Sequence, residues 1–112
     1  MSKKEVVDAF KSRSLRFFEE AVSDVEKGWY DFTLFHLEQS LQLALKAVIL
    51  ENKGSYPFTH DIDELINCLG KTEVMELRDK NKDVITLLKL AYTGSRYFPT
   101  AYDKEIAVKL LT

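Results

Sequence analysis

The side chains best suited to bind phosphate lie together near the C-terminal end of the sequence. Arg96 is followed directly by Tyr97, and Tyr102 comes a few residues later. Arginine presents a planar set of donors that matches a phosphate group, and tyrosine adds a ring for stacking and a hydroxyl. These residues predict a binding site for a nucleotide or an RNA phosphate. A structural alternative stays open, in which Arg96 caps a helix and the tyrosines pack on the next one.

Lys46 and His60 are two further candidate contacts to such a ligand. Lys46 lies in an apolar stretch, so its amine either extends to solvent or reaches a phosphate. His60 stands between Thr59 and Asp61. Its imidazole either makes a structural hydrogen bond across the fold or contacts a nucleotide.

Other kinds of site are poorly supported by the sequence. With one cysteine, Cys68, the chain cannot form an internal disulfide or a cysteine-based zinc site. The two histidines, His36 and His60, do not form the Glu-x-x-His pairs of di-metal bundles. No glycine-rich phosphate loop is present. We expect no metal, no cofactor and no catalytic residue, with Cys68 acting as a small hydrophobe and His36 half-buried.

Composition limits the class of protein. The 112 residues carry 16 basic and 18 acidic side chains, a net charge of −2, so the chain as a whole is not an electrostatic nucleic-acid binder. Four glycines and two prolines disfavour a turn-rich β-fold. The N-terminal residues are charged, and the longest apolar run is too short to span a membrane. We expect one domain, residues 1–112, located in the cytoplasm without a membrane partner.

Apolar residues recur with helical spacing along the whole chain. The second predicted helix is apolar over much of its circumference, which predicts a central position. Asn81 is the one polar residue in the stripe of the fourth, where it either fixes register or lies at the surface. The fold class is therefore all-α, an antiparallel up-down bundle of three long and two short helices. The predicted helices are Lys3–Lys27, Tyr30–Asn52, His60–Leu69 (capped by Thr59 or Asp61), Thr72–Tyr92 and Lys104–Leu111, with a loop over Thr93–Tyr102.

Charges in the first helix run against the helix dipole, which favours acids first and bases last. Bases dominate residues 1–18, and residues 19–26 contain acids only. The basic half could meet an acidic partner or phosphates, or it could be a solvated face. The bases are Lys3, Lys4, Lys11, Arg13 and Arg16.

Three segments, in order, resemble the HEPN domain family (higher eukaryotes and prokaryotes nucleotide-binding). Residues 36–47 (HLEQSLQLALKA) are similar to the family's signature helix. Residues 58–62 (FTHDI) resemble the Thr-His-Asp-Leu that opens its third helix. Residues 95–99 (SRYFP) resemble the Ala-Arg-Tyr-Pro that follows its fourth.

The resemblance implies a homodimer in which the segments after the fourth helices form a shared cleft. It also implies a separately encoded minimal nucleotidyltransferase as partner, in a prokaryotic toxin–antitoxin-like pair. The nuclease branch of the family carries a histidine four to six residues after the arginine, and here no histidine follows Arg96. We therefore expect a non-catalytic module that binds a nucleotide or RNA phosphate. A metal-independent ribonuclease that uses Arg96 and Tyr102, and a purely structural partner, remain the alternatives.

Overall fold

The chain folds into α-helices, which confirms the all-α class. The computed structural model describes the backbone of residues 2–97 and the side chains of residues 2–92. The predicted helix Lys104–Leu111 lies outside the described residues. The helices of the described part are α1 (Lys3–Lys27), α2 (Tyr30–Lys53), α3 (Ile62–Leu69), α4 (Thr72–Lys80) and α5 (Lys82–Tyr97).

Helices α1 and α2 form an antiparallel hairpin. Gly28 ends α1 with φ at 78°, a left-handed conformation that glycine adopts without strain. Midway along the hairpin, Ser14 Oγ donates to the Ser40 carbonyl at 2.7 Å, and Ser40 Oγ donates to the Ser14 carbonyl at 2.8 Å. These reciprocal bonds join two small residues, so the helix backbones approach closely at this level.

Helix α2 is central, as its apolar pattern predicts. It contacts α1, α3 and α5. Its buried side chains Leu37, Leu45 and Ile49 belong to one apolar cluster with side chains from the other three helices. The partners contributed by those helices are Ala21 from α1, Ile62, Leu65, Ile66 and Leu69 from α3, and Leu88 from α5.

Helix α3 begins at Ile62, so the predicted start at His60 is wrong by two residues. Asp61 is the N-cap, one of the two predicted alternatives, and its carboxylate accepts the backbone N–H groups of Asp63 and Glu64. The other alternative, Thr59, instead accepts the N–H of Asp61 through Oγ1. His60 therefore lies in the loop immediately before the helix.

The single helix predicted over Thr72–Tyr92 is wrong in two respects. It breaks at Asn81, whose Nδ2 donates to the Leu77 carbonyl at 2.8 Å, so this polar residue ends α4. Helix α5 then continues to Tyr97, through the start of the predicted loop Thr93–Tyr102. Gly94 lies within α5, because one glycine costs a helix only about 1 kcal/mol.

Two basic side chains in the N-terminal half of α1 contact the C-terminal end of α2. Lys3 Nζ donates to the Glu51 carbonyl at 3.1 Å, and Lys11 Nζ lies 3.0 Å from Glu51 Oε2. The basic half of α1 thus lies beside the C-terminal end of α2, where positive charge is favoured by the helix dipole.

His36 and Cys68 are found in the structural settings that their sequence neighbours predict. His36 is half-buried, with Nδ1 2.5 Å from Asp24 Oδ2. Cys68 is half-buried and packs against the main apolar cluster. Among the described helices, none combines the length and apolar character that a membrane span requires.

Candidate functional site

An aromatic stack joins the start of α3 to α5. The rings of His60 and Tyr92 are parallel within 14°, with centroids 4.4 Å apart. His60 is exposed and Tyr92 is half-buried. Burial of Leu88 and Ala91 on the same helix fixes the rotation of α5, and therefore the position of Tyr92. The stack is thus a rigid pair of rings that reaches the surface.

The carboxyl group of Glu38 lines the same small hollow as this stack. The residue is 1% exposed, although it sits on a helix that also carries the main core. Its Oε1 accepts from Gln39 Nε2 at 2.9 Å, and its Oε2 accepts from Gln42 Nε2 at 2.6 Å. Burial raises the pKa of Glu38 above its ordinary 4.5, and the two amide bonds only partly oppose that shift. Glu38 therefore holds its proton to a higher pH than an exposed glutamate does.

Lys89 connects α5 to the start of α3. Its Nζ lies 3.0 Å from Asp63 Oδ2 and 3.6 Å from Asp61 Oδ2. The hydrogen bond to Asp63 raises the pKa of Lys89. Because two carboxylates already match its charge, Lys89 positions the stack rather than attracting an anion.

A small hollow opens between these side chains. Its volume is about 80 Å³. Small-molecule pockets usually measure ~300 Å³ or more. A nucleotide must therefore lie across the surface and not inside the hollow. The hollow is lined by Glu38, His60, Asp61, Lys89 and Tyr92.

Of the predicted site residues, the structure describes the side chains of Lys46 and His60 only. Position 96 follows Tyr92 by one helical turn on the same side of α5. His60 is therefore close to the helix that carries Arg96, although the two are 36 positions apart in sequence. The side chains of Arg96 and Tyr97, and all of Tyr102, lie outside the described residues.

Lys46 lies at the opposite end of the same region. It is half-buried on α2, two turns beyond Glu38. Val84 of α5 lines the same hollow as Ala44 of α2. Tyr92, later in α5, lines a second hollow with Glu38, which is earlier in α2. The two helices therefore run antiparallel.

We take these positions together as one candidate surface, which we call the α2–α5 track. It comprises Lys46, the His60–Tyr92 stack and position 96. Position 46 is about 12 Å from Glu38 along α2, and position 96 is about 6 Å from Tyr92 in the other direction. The track is thus about 18 Å long, longer than one nucleotide.

Sequence reasoning missed Glu38 and gave Tyr92 no role of its own. A signal for Glu38 is present, because it shares a helix face with Leu34, Leu45 and Ile49, all of them buried. An acid at a core position indicates a special environment. The contact between His60 and Tyr92 is set by tertiary packing and has no local sequence signal.

Comparison with known proteins finds one family. The model of the HEPN domain matches residues 7–112. No curated protein and no solved structure matches the chain.

The raised pKa of Glu38 predicts a pH effect on stability. The folded state holds this proton more tightly than the unfolded chain does, so the free energy of unfolding should fall as pH rises from 4.5 through the raised pKa. Glu38→Gln removes the titration and keeps the side-chain length. We expect wild type to lose stability relative to Glu38→Gln over this range, as measured by urea denaturation at a series of pH values.

Glu64→Gln, at an exposed position of α3, is the control and should leave the pH dependence of wild type unchanged. Parallel stability curves for wild type and Glu38→Gln would contradict the assignment.

Proposed function

The chain belongs to the HEPN domain family, and from this premise we propose that it is a non-catalytic module that binds single-stranded RNA along the α2–α5 track. Membership makes it a nucleotide- or RNA-related module at the level of the family. The finer proposal depends on one observation, the stack of the exposed His60 on the half-buried Tyr92. Sequence-tolerant binding of single strands combines stacking on aromatic rings with cations that follow the backbone.

The length of the track favours an oligonucleotide over a free nucleotide. Its two basic positions, Lys46 and Arg96, are about 18 Å apart along the helices, which exceeds the span of one phosphate group. A base can stack on the exposed His60 while neighbouring phosphates reach the cations. Tyr97 and Tyr102 follow Arg96 in sequence and are proposed to extend this end of the site.

The absence of catalysis is proposed from the residues that follow Arg96. Cleavage of RNA without a metal requires a group that transfers protons near neutral pH, and imidazole is the usual one. No histidine occurs after His60 in the chain. A tyrosine hydroxyl at the equivalent position would be a weak base, since the ordinary pKa of tyrosine is about 10.

We also propose that the protein acts as a homodimer with a minimal nucleotidyltransferase as its partner. The pair would be a two-component system of the toxin–antitoxin type. Arg13 and Arg16 are exposed on α1 and border the same shallow surface depression. This basic surface is suited to an acidic face of the transferase.

RNA binding is expected to depend on Arg96 at one end of the proposed site and on the His60 ring in its middle. Titration of a labelled single-stranded RNA hexamer, followed by fluorescence anisotropy, should give saturable binding to wild type. Arg96→Ala and His60→Ala should each weaken affinity by about tenfold, the effect of losing one phosphate contact or one stacked base. A mononucleotide should bind more weakly than the hexamer, because it reaches only one cation.

The matched control is Arg13→Ala, which removes an exposed arginine from α1. It should bind RNA as wild type does. Loss of binding in Arg13→Ala with full binding in Arg96→Ala would move the RNA site to α1. Failure of wild type to bind any of these ligands would reject RNA binding as the function.

A metal-independent ribonuclease is the second candidate, and the packing of His60 supports it. The imidazole lies beside Tyr92, one turn from position 96, with the protonatable Glu38 in the same small hollow. His60 could therefore supply in space the histidine that is missing after Arg96 in sequence.

Incubation of the purified protein with RNA in the presence of a chelator separates the two candidates. We expect the RNA to remain intact. Cleavage that falls by about 100-fold or more in His60→Ala, the usual worth of a general acid or base, would favour the ribonuclease instead. Cleavage that His60→Ala leaves unchanged but Arg96→Ala abolishes would assign the activity to Arg96 without His60. Cleavage that both variants leave unchanged would indicate a contaminating nuclease.

A further inference from the structure

Four aromatic rings form a continuous row toward the turn of the α1–α2 hairpin. Phe17 stacks on His36 with centroids 5.8 Å apart, and His36 stacks on Phe32 with centroids 6.3 Å apart. Trp29 then meets Phe32 edge to face at 6.4 Å. We call these four residues the hairpin aromatic row. Two of its rings are unusually open for their size, because Trp29 is 51% exposed and Phe32 is 46% exposed.

The row is held in place from within the hairpin. Asp24 is 3% exposed, and its Oδ2 lies 2.5 Å from His36 Nδ1, so the imidazole in the row cannot turn freely. Phe17, on the neighbouring helix, is half-buried. A surface whose rings are already fixed loses little conformational entropy when a partner covers it. Rigid, exposed aromatic rings are typical of the centre of a protein–protein contact.

Positive charge lies at both ends of the row. Arg13 and Arg16 are exposed and border a hollow of about 250 Å³ beside Phe17. Within the described part of the chain, neither arginine forms an ion pair. At the other end, Lys27 Nζ lies 4.7 Å from the centroid of the Trp29 ring. The surface therefore offers apolar rings in the middle and cations at its edges.

We propose that the hairpin aromatic row binds an acidic peptide segment of a partner protein. Apolar side chains of the segment cover Phe32 and Trp29, while its carboxylates reach Arg13 and Arg16, whose planar guanidinium groups match them in geometry and charge. The three steps along the row are about 6 Å each, and an extended chain advances about 3.3 Å per residue, so about five or six residues span it. The inference goes beyond the proposed function, because it requires neither RNA nor the nucleotidyltransferase.

A peptide fits this surface better than RNA does. Glu20 lines the same hollow as the two arginines, and Asp31 directly precedes Phe32, whose backbone N–H its carboxylate accepts. A continuous phosphate backbone would be repelled by both carboxylates. A peptide carries its charges on separate side chains, so it can place carboxylates at the arginines and neutral groups opposite Glu20 and Asp31.

Fluorescence of Trp29, the one tryptophan of the chain, reports directly on the row. The probe is a synthetic ten-residue peptide in which glutamate alternates with leucine or phenylalanine, titrated into the full chain. We expect a saturable blue shift of the emission as the indole leaves water. The same peptide with lysine in place of glutamate, and a peptide of ten glutamates, should each bind more weakly by about tenfold or more, because the first lacks the charge match and the second lacks apolar contacts.

Two variants and one control locate the binding. Phe32→Ala should weaken binding of the acidic peptide by about tenfold, and so should the double variant Arg13→Ala with Arg16→Ala, the usual effect of removing an interface anchor. The matched control is Phe58→Ala, at a phenylalanine outside the row that is 100% exposed, and it should bind as wild type does. Circular dichroism should show equal helicity in all of these proteins.

Several results would overturn the proposal. They are an emission of Trp29 that does not respond to the acidic peptide, binding that both variants leave intact, and equal binding of the lysine peptide. A shift produced by the RNA hexamer would assign the row to RNA, and an emission that changes with protein concentration alone would place a second copy there. RNA binding to the α2–α5 track is tested separately through Arg96→Ala, so its failure is distinguishable from a failure here.

Discussion

The enclosure of α2 by α1, α3 and α5 is the constraint on which the rest of the structure depends. A helix covered on three sides has little contact with water, so every polar side chain on it needs a partner from the protein. Ser40 finds that partner in Ser14, and Thr33 donates to the carbonyl of Trp29 at 3.0 Å. Among the described side chains, no buried polar atom lacks a hydrogen bond. Specific polar contacts therefore fix α1 against α2, in addition to apolar packing.

The same enclosure creates the candidate site. Glu38 faces inward, where its two amide partners satisfy it and burial raises its pKa. The start of α3 and the middle of α5 close over it, which brings His60 and Tyr92 into contact. What remains open above Glu38 is too small for a nucleotide, so recognition must take place on the exposed ring and along the helices on either side. This geometry favours an extended, single-stranded ligand.

Much of the fold could be predicted from local signals. Gly28, Gly54 and Gly70 each follow a helix in the left-handed conformation, and a glycine just after a helical apolar pattern is a local stop signal. The apolar circumference of α2 predicted its central place. Two features of the chain after α3 were not predicted, because the free-energy difference that decides each of them is small or depends on residues distant in sequence. At Asn81 the backbone N–H and the side-chain amide both bond carbonyls of α4 and end it. Gly94 is typical of a turn, yet α5 is helical through it.

The site was less predictable than the fold. Arg96 and His60 were identified from residue type and family resemblance, but the contact of His60 with Tyr92 depends on how α5 packs against the start of α3. Glu38 is an acid on an apolar face, a local signal that spacing could have revealed. The pairing of His36 with Asp24 joins two helices, and no sequence pattern indicated it. The chemical groups could thus be identified from the sequence, whereas tertiary packing determines which of them are in contact.

The chain contains two histidines in contrasting settings, which gives the central claim an internal control. His60 forms the exposed stack of the α2–α5 track, whereas His36 is held against Asp24 on the other part of the fold. NMR spectra of the imidazole groups, recorded while a single-stranded RNA hexamer is added to the wild-type chain, test the claim directly. The account predicts that the His60 signals shift and saturate with the RNA while those of His36 stay in place. Binding that leaves the His60 signals unmoved would contradict it.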